Sequence, residues 1–273
     1  MLHAAAVDNL DRPELAPYRT MRWQFEHRQQ RIFVAEGEKV VRRLLESDLE
    51  VVSLLLPQKW FDVYHDMLVE RAVHSEIHAF TAEKPLLEKL TGFSMYQGVL
   101  AVAKVPRSLT LDEAITTSPK PLLFVAVDGI SNADNLGGLV RNCAAFGVDA
   151  LVTGETSCSP YLRRAVRSSM GNIFKMPVVE SANLVQTIGE MQSHGIRCVA
   201  AHPHTDQRRL SSADFAGNSC IILGSEGAGI SSAVLEGCDE QVVIPMRNEV
   251  DSLNVGTAGA VFLYEAARQR NRA

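Results

Sequence analysis

Side chains that could take part in chemistry follow three apolar segments of this chain. SNADNLGGLVR carries Asn135 and Arg141, six residues apart, and LGSEGAGI carries Glu226 among three glycines. VVIPMRNEVDSLN ends with Ser252 and Asn254, directly before a helix rich in small residues. An amide side chain can cap a helix, and glycines let a ligand approach the main chain closely. Simple capping or a glycine-rich turn is the alternative for each segment alone, but together they predict a binding site made of loops.

Common nucleotide and hydrolase motifs are absent. A dinucleotide fingerprint needs G-x-G-x-x-G directly after a strand, whereas Gly129 is followed only eight residues later by Gly137. No G-x-x-x-x-G-K-[ST] phosphate loop occurs. A nucleophilic Ser225 would need a glycine two residues before it, and that position is Leu223. These patterns argue against a Rossmann enzyme, a P-loop NTPase and a serine hydrolase.

Cysteine and histidine usage argues against a metal site. The five cysteines, at positions 143, 158, 198, 220 and 238, show no C-x-x-C spacing, which indicates reduced and mostly buried thiols. His202 and His204 in AAHPHTD lack an accompanying metal-ligand signature. We interpret this histidine pair as part of an exposed loop that borders the site, and we predict no metal.

Composition and charge restrict the class of protein. The 273 residues, 46% hydrophobic and 22% charged, fit one large or two medium globular domains. No apolar run reaches the roughly 18 residues of a membrane span, and MLHAAAVDNLDRPEL does not resemble a secretory signal. We therefore expect a cytoplasmic protein without a membrane partner.

The net charge is −5, so any contact with nucleic acid must use local basic patches. The candidate patches are Arg19, Arg22, Arg28 and Arg31; Arg163, Arg164 and Arg167; and Arg268, Arg270 and Arg272. Solvated helix faces are an equally good interpretation of each cluster alone.

The first third of the chain alternates between strand and helix patterns. After a lead-in predicted as helical (1–30), IFVAE, VVSLLL, EIHAF and GVLAVAKV predict strands, with helices at 38–47 and near 58–71 and 83–90. The pattern predicts a small α/β domain over 31–105. Residues 106–120 are the predicted linker, with one short helix inside it.

Residues 121–273 predict a second α/β domain with a parallel sheet. Its strand candidates, LLFVAV, ALVT, MPVV, IRCVAA, CIILG and QVVIP, are continuously apolar and separated by helical or loop segments. Such strands are typical of a parallel sheet covered on both faces. Ligands of these sheets bind outside the carboxyl ends of the strands, so we expect the site after Val127, Ala201, Leu223 and Pro245.

The three polar segments, in this order, resemble the SpoU (TrmH-like) family of RNA ribose 2′-O-methyltransferases in the SPOUT class. The family pattern has asparagine followed six residues later by arginine, then G-x-E-x-x-G-I, then I-P-M and S-L-N before a helix. Asn135 and Arg141, GSEGAGI from Gly224, IPM from Ile244 and SLN from Ser252 match it. The resemblance covers about residues 121 to 270. It extends more weakly to 31–105, where VAEGEKVVRRLL and YQGVLAV are similar to the family's small L30e-like RNA-recognition domain.

The resemblance implies a fold, a cofactor and partners. The fold is a deep trefoil knot in the C-terminal domain, and the cofactor is S-adenosylmethionine, held bent by the loops that end LGSEG, VVIPM and SLN. The partners are an RNA substrate, rRNA or tRNA, and a second copy of the chain, bound through the C-terminal domain, which brings Arg141 of one subunit towards the other's cofactor. The implied cofactor-binding residues are Leu223, Gly224, Glu226, Gly227, Ile244, Met246, Leu253 and Asn254.

The implied catalytic residues are Arg141, Asn135, Glu226, Ser252 and Asn254. A guanidinium does not deprotonate in proteins, so we expect Arg141 to bind the RNA phosphate and stabilise developing alkoxide charge. Asn248-Glu249 and Gly256 depart from the family pattern and affect the expected shape of the cofactor pocket. A non-catalytic RNA-binding protein with the same fold, and a SPOUT enzyme that methylates a base, are the alternatives.

Overall fold

A computed structural model describes residues 1–91, 98–248 and 250–271. Tyr96 and Gln97 of YQGVLAV, Glu249 and Arg272 lie outside the described residues. The chain forms two compact units: Met1–Pro106 with Tyr161–Lys175, and Arg107–Pro160 with Met176–Ala273. None of the helices in the described part is long and apolar enough to cross a membrane.

The first unit is built on a five-stranded mixed sheet. Its strands, in the spatial order β1-β4-β3-β5-β2, are β1 (Leu2–Ala6), β2 (Ile32–Glu36), β3 (Val51–Leu56), β4 (Ile77–Thr81) and β5 (Leu100–Lys104). β1, β4 and β3 run parallel, while β5 is antiparallel to both β3 and β2. The predicted strands of this region are confirmed.

The first residues form a strand, so the prediction of a helical lead-in is wrong over Leu2–Ala6. The alanine-rich segment LHAAA has good helix propensity, but it pairs with β4 at the edge of the sheet. The amino terminus donates hydrogen bonds to the carbonyls of Ala72 and Ser75, and the rings of His3 and His78 stack with centroids 5.0 Å apart. Pairing with a distant strand overrides the local preference here.

Six α-helices complete the first unit within its described residues. They are α1 (Ala16–Arg19), α2 (Gln24–Gln30), α3 (Glu38–Leu45), α4 (Gln58–Arg71), α5 (Lys84–Thr91) and α8 (Arg163–Ser168). α8 belongs to the segment 161–175, which packs on β2: Phe33 lies 5.6 Å, between ring centroids, from both Tyr161 and Phe174.

The second unit is built on a seven-stranded sheet. Its strands, in the spatial order β10-β12-β9-β11-β6-β7-β8, are β6 (Leu123–Asp128), β7 (Ala150–Thr153), β8 (Val178–Glu180), β9 (Arg197–Ala201), β10 (Arg208–Arg209), β11 (Ser219–Gly224) and β12 (Glu240–Val243). Every pairing is parallel. The predicted parallel sheet is confirmed, because strands buried on both faces leave continuous apolar runs in the sequence.

In the described part of the second unit, five α-helices cover the sheet. They are α6 (Leu111–Thr117), α7 (Ala133–Ala145), α9 (Leu184–Ser193), α10 (Ser232–Gly237) and α11 (Val255–Gln269). α6 lies inside the predicted linker, where Thr110 and Glu113 form a capping box. Leu111 and Ala114 are buried in the core of the second unit, so this stretch is folded onto the unit.

α7 and α11 approach closely at positions occupied by glycine and asparagine. A Cβ atom on Gly259 would lie 2.5 Å from Cδ1 of Leu139, so only glycine fits without movement. The amide of Asn142 donates to the carbonyl of Gly256 at 2.7 Å. This packing brings the start of α11, and with it Asn254, next to α7.

Candidate active site

A cavity of about 470 Å³ opens at the carboxyl ends of β9, β11 and β12. Its walls combine apolar side chains with the polar loops that follow these strands. The large apolar side chains that line it are Leu223, Ile230, Ile244, Met246, Leu253, Val255 and Phe262. The volume lies within the range of small-molecule and cofactor sites, which are mostly apolar with a few placed polar groups.

The loop from Gly224 to Ile230 forms one wall of the cavity and closes back on itself. Ser225 and Gly229 exchange two main-chain hydrogen bonds of 3.0 Å, and the Ser225 hydroxyl accepts from the amide of Ala228. A Cβ atom on Gly224 would lie 2.2 Å from the carbonyl carbon of Gly229. Position 224 therefore requires glycine because two stretches of main chain meet there.

Asn254 links the third polar segment to the other two. Its side-chain oxygen caps α11 by accepting from the amides of Gly256 (2.9 Å) and Thr257 (3.3 Å). Its side-chain nitrogen donates to Oδ1 of Asn135 at 3.1 Å and to Oε1 of Glu226. The structure thus brings Asn135, Glu226 and Asn254 into one hydrogen-bonded group, which we call the amide bridge.

Arg141 does not join the amide bridge within one chain. α7 starts at an Asn132 cap that accepts from the amide of Asp134 at 2.9 Å. Six residues of α-helix rotate by about 600°, so Asn135 and Arg141 project in directions about 120° apart. Arg141 is exposed and has no hydrogen-bond or ion-pair partner within the described residues 1–91, 98–248 and 250–271.

The predicted cofactor residues lie mostly in the cavity wall. Those that line it are Leu223, Gly224, Glu226, Gly227, Ile244, Met246 and Leu253, and Ser252 lines it as well. Asn254 instead contacts the wall through Glu226. His202 and His204 also line the cavity, with ring centroids 6.0 Å apart. Burial, with a smaller contribution from His204, lowers the pKa of His202, which favours a neutral ring at neutral pH.

Sequence reasoning missed Asp128, the last residue of β6. This buried carboxylate accepts from the amide of Ser231 at 2.8 Å and from the hydroxyl of Thr156 at 3.3 Å. It therefore anchors the chain just beyond Ile230 and supports the glycine loop from behind. The sequence pattern that could have indicated Asp128 is an acidic residue at the end of an otherwise apolar strand.

The arginine clusters of the sequence divide into bonded and exposed members. Arg163 forms an ion pair with the buried Glu36 of the first unit. Arg270 donates to four main-chain carbonyls and to Ser219.

Among the residues that the structure describes, no group of three His, Cys, Asp or Glu side chains could hold a metal ion.

Comparison with known proteins identifies the class of this site. The model of the SpoU rRNA Methylase family matches residues 122–264. An uncharacterized tRNA/rRNA methyltransferase of Mycobacterium tuberculosis is 32% identical over 87% of this chain and 81% of that protein. The 23S rRNA (guanosine-2′-O-)-methyltransferase RlmB of Acinetobacter baylyi is 30% identical over 86% of this chain and 96% of that protein.

Solved structures show the same fold. The SpoU methyltransferase AviRb of Streptomyces viridochromogenes is 27% identical, with a TM-score of 0.78, and the match covers 93% of this chain and 96% of that one. Its complex with the cofactor AdoMet has a TM-score of 0.81 at 24% identity over 95% of this chain and 98% of that one.

A glycine-walled cavity at the carboxyl edge of a parallel sheet is where α/β proteins bind their ligands. The chain belongs to the SpoU rRNA methylase family. Family membership confirms the predicted function: the protein is an RNA 2′-O-ribose methyltransferase that uses S-adenosylmethionine.

Proposed function

We propose that this enzyme methylates the ribose 2′-hydroxyl of a guanosine in 23S rRNA. The observation that supports this target is the similarity to RlmB of Acinetobacter baylyi. That protein is named for this substrate, and the match covers 96% of its length. The Mycobacterium tuberculosis relative is named for both tRNA and rRNA, so transfer RNA is the substrate to test against. We place the reaction in the cytoplasm.

The cavity fits S-adenosylmethionine in size and in chemistry. Leu223, Ile244, Met246 and Leu253 offer apolar surface to an adenine ring, and their main-chain groups can form its polar contacts. The glycine loop lets the main chain approach the ligand closely. The bound cofactor supplies an activated methyl group on a sulfonium. The residues that line the cavity would hold the cofactor and restrict its motion, because positioning is the main requirement of a displacement reaction.

The amide bridge has a positioning role in this proposal. Both amide hydrogens of Asn254 are used by Asn135 and Glu226, and its oxygen is used by the start of α11. Glu226 therefore fixes the glycine loop and does not act as a base. Ser252 is exposed at the cavity wall and orients the ribose hydroxyl or the cofactor carboxylate.

Arg141 acts in a homodimer formed through the C-terminal domain. The side chain projects away from its own amide bridge and is exposed, which supports a role in the site of a second copy. There its fixed charge would bind the phosphate beside the target ribose and stabilise the negative charge that develops on the 2′-oxygen. A dimer that brings Arg141 to the other subunit completes each site with one residue from its neighbour.

The proposed fold details are a deep trefoil knot in the C-terminal domain and an L30e-like RNA-recognition domain over 31–105. Membership of the SpoU rRNA methylase family and the resemblance of the three polar segments to the family pattern are the grounds for both details. Knots are rare among protein folds. The functional division into 1–30, 31–105, 106–120 and 121–273 is proposed on the same grounds.

The test is methylation of separated RNA pools from a strain that lacks the protein. Radiolabelled S-adenosylmethionine should label 23S rRNA, and nuclease mapping should locate one 2′-O-methylguanosine. Label in transfer RNA alone would refute the target. Label on a base would refute the reaction. Calorimetry with S-adenosylmethionine checks cofactor binding separately, since a non-catalytic relative would bind RNA without it.

A further inference from the structure

Two aromatic side chains of the first unit are exposed beside arginines. Trp23, directly before α2, is 66% exposed, and Phe25, in the first turn, is 71% exposed. An aromatic side chain that faces water does not gain the hydrophobic free energy that it would gain on burial. A surface that keeps both is therefore suited to a ligand that covers them.

The charge around the two rings is positive. Arg22, Arg28 and Arg31 are exposed, and Glu26 is the acidic residue of α2. Side chains three positions apart on a helix are neighbours, so Phe25 and Arg28 lie side by side. We call Arg22, Trp23, Phe25, Arg28 and Arg31 the α2 patch.

The main chain that carries the rings is held in place. The amide of Trp23 donates to the carbonyl of Thr20 at 2.7 Å. His27 hydrogen bonds with the carbonyl of Pro17 at 2.9 Å, and Arg31 donates to the carbonyl of Pro106 at 3.2 Å. A ligand would thus meet a largely ordered surface and lose little free energy to ordering it.

We propose that the α2 patch binds a single-stranded segment of RNA. Bases stack on Trp23 and Phe25, and the neighbouring guanidinium groups pair with phosphates. Alternating aromatic and cationic groups complement a polyanion whose bases have apolar faces. A protein partner would cover the rings but would need its own acidic groups for the arginines. This inference rests on the proposed function, because it adds a second contact for the same RNA substrate.

Fluorescence tests the stacking directly. The chain has two tryptophans, so Trp60→Phe in the full-length protein leaves Trp23 as the only reporter. A ten-nucleotide single-stranded RNA should quench the Trp23 emission in a saturable way, and a hairpin of the same composition should quench it far less. Emission that does not change with single-stranded RNA overturns the proposal.

Affinity measurements supply the matched control. The double variant Trp23→Ala/Phe25→Ala should bind the single-stranded RNA at least about tenfold more weakly, while Trp23→Phe keeps most of the affinity. Val73→Ala changes a side chain that is 75% exposed elsewhere on the unit and should leave binding unaltered. Arg28→Gln should make the slope of log affinity against log salt shallower by about 0.7. Unchanged affinity in the double variant overturns the inference.

Two further readouts separate this inference from the proposed function. If light scattering shows that the double variant changes the mass of the assembly while RNA affinity stays constant, the patch joins copies of the chain and the inference is wrong. S-adenosylmethionine binding and methyl transfer are measured on the wild type. If the wild type quenches with RNA but transfers no methyl group, the proposed function fails and the α2 patch stands.

Discussion

Arg141 in α7 and Arg270 at the end of α11 show two uses of one side chain. Arg270 donates to the carbonyls of Pro121, Leu122, Phe215 and Gly217 and to the Ser219 hydroxyl. Arg141 has no such partner among the residues described in the two units. All three nitrogens of the Arg270 guanidinium donate to groups of the fold, whereas the Arg141 guanidinium has no acceptor among the described residues.

From this difference we expect hydrogen-bond partners, more than clustering in sequence, to distinguish arginines that stabilise the fold from those that act on a ligand. Arg268 and Arg270 are two positions apart and belong to the same basic cluster of the sequence. One pairs with Glu265 at 2.7 Å on the helix surface, and the other ties the end of α11 to the sheet. If the distinction is general, substitution of a bonded arginine should lower stability, and substitution of an unbonded one should lower activity.

Arg141→Ala should give the largest loss of activity with almost no loss of stability. We expect methyl transfer to fall about 100-fold to 1000-fold, because a preorganised charge is removed from the developing alkoxide. The free energy of unfolding should change by less than about 0.5 kcal/mol, since the side chain is exposed. Single-turnover methylation and urea titration measure the two quantities. Destabilisation by several kcal/mol would place Arg141 with Arg270.

Mixing Arg141→Ala with Gly224→Ala, at an S-adenosylmethionine concentration too low to occupy the Gly224→Ala cavity, tests whether Arg141 acts across the dimer. Arg141→Ala keeps the cofactor loop and Gly224→Ala keeps the arginine, so each mixed dimer regains one complete site. A random mixture should recover about a quarter of the wild-type activity, since half of the dimers are mixed and each has one working site. An inactive mixture in which exchange of subunits is demonstrated would show that Arg141 serves its own subunit.

Gly224→Ala should weaken S-adenosylmethionine binding by about 100-fold. The new methyl group would lie 2.2 Å from the main chain of Gly229, so the loop that walls the cavity must move. Calorimetry measures the affinity. Gly189→Ala is the matched control, because its Cβ meets nothing within 4 Å on α9 and should stabilise the helix slightly. Equal cofactor affinity in both variants would remove the proposed role of the loop.

Arg270→Ala should destabilise the second unit by about 3 kcal/mol and spare the chemistry. The substitution leaves carbonyls at Pro121, Leu122 and Gly217 without their charged donor. Urea unfolding measures the cost, and methyl transfer by the protein that remains folded should be close to normal. A folded variant with the activity loss of Arg141→Ala would contradict the division.

Much of the second sheet could be predicted because its local signals agree with its tertiary setting. LLFVAV and CIILG become β6 and β11, neighbouring strands buried on both faces. The strand at Leu2–Ala6 could not be predicted, because its pairing partner Ile77–Thr81 lies about seventy-five positions away and the segment itself favours a helix. The second case depends on a long-range contact that no local pattern encodes.

The sequence predicts which segments form the candidate site, but it does not predict which side chains contact one another. The glycines of LGSEGAGI and the cap at Asn254 indicate close approach and a helix start, and both occur. The hydrogen bond from Ser231 to Asp128 joins residues 103 positions apart. The different directions in which Asn135 and Arg141 project follow from the six-residue spacing on a helix, so the sequence alone predicts them.

Arg268→Ala should have the smallest effect, confined to the pH dependence of stability. The Arg268 guanidinium, with a further hydrogen bond from Gln269, lowers the pKa of Glu265 to about 2. A carboxylate with a depressed pKa stabilises the fold above its ordinary pKa and loses that contribution as pH falls towards 2. The variant should raise the pKa of Glu265, so that stability falls less steeply between about pH 4.5 and 2. NMR titration of the carboxyl group measures the pKa of Glu265. Urea titrations at several pH values measure how stability depends on pH, and Arg270→Ala, which keeps both partners of Glu265, is the control. An unaltered pKa in Arg268→Ala would show that the pair of Arg268 with the half-buried Glu265 has no part in holding the fold.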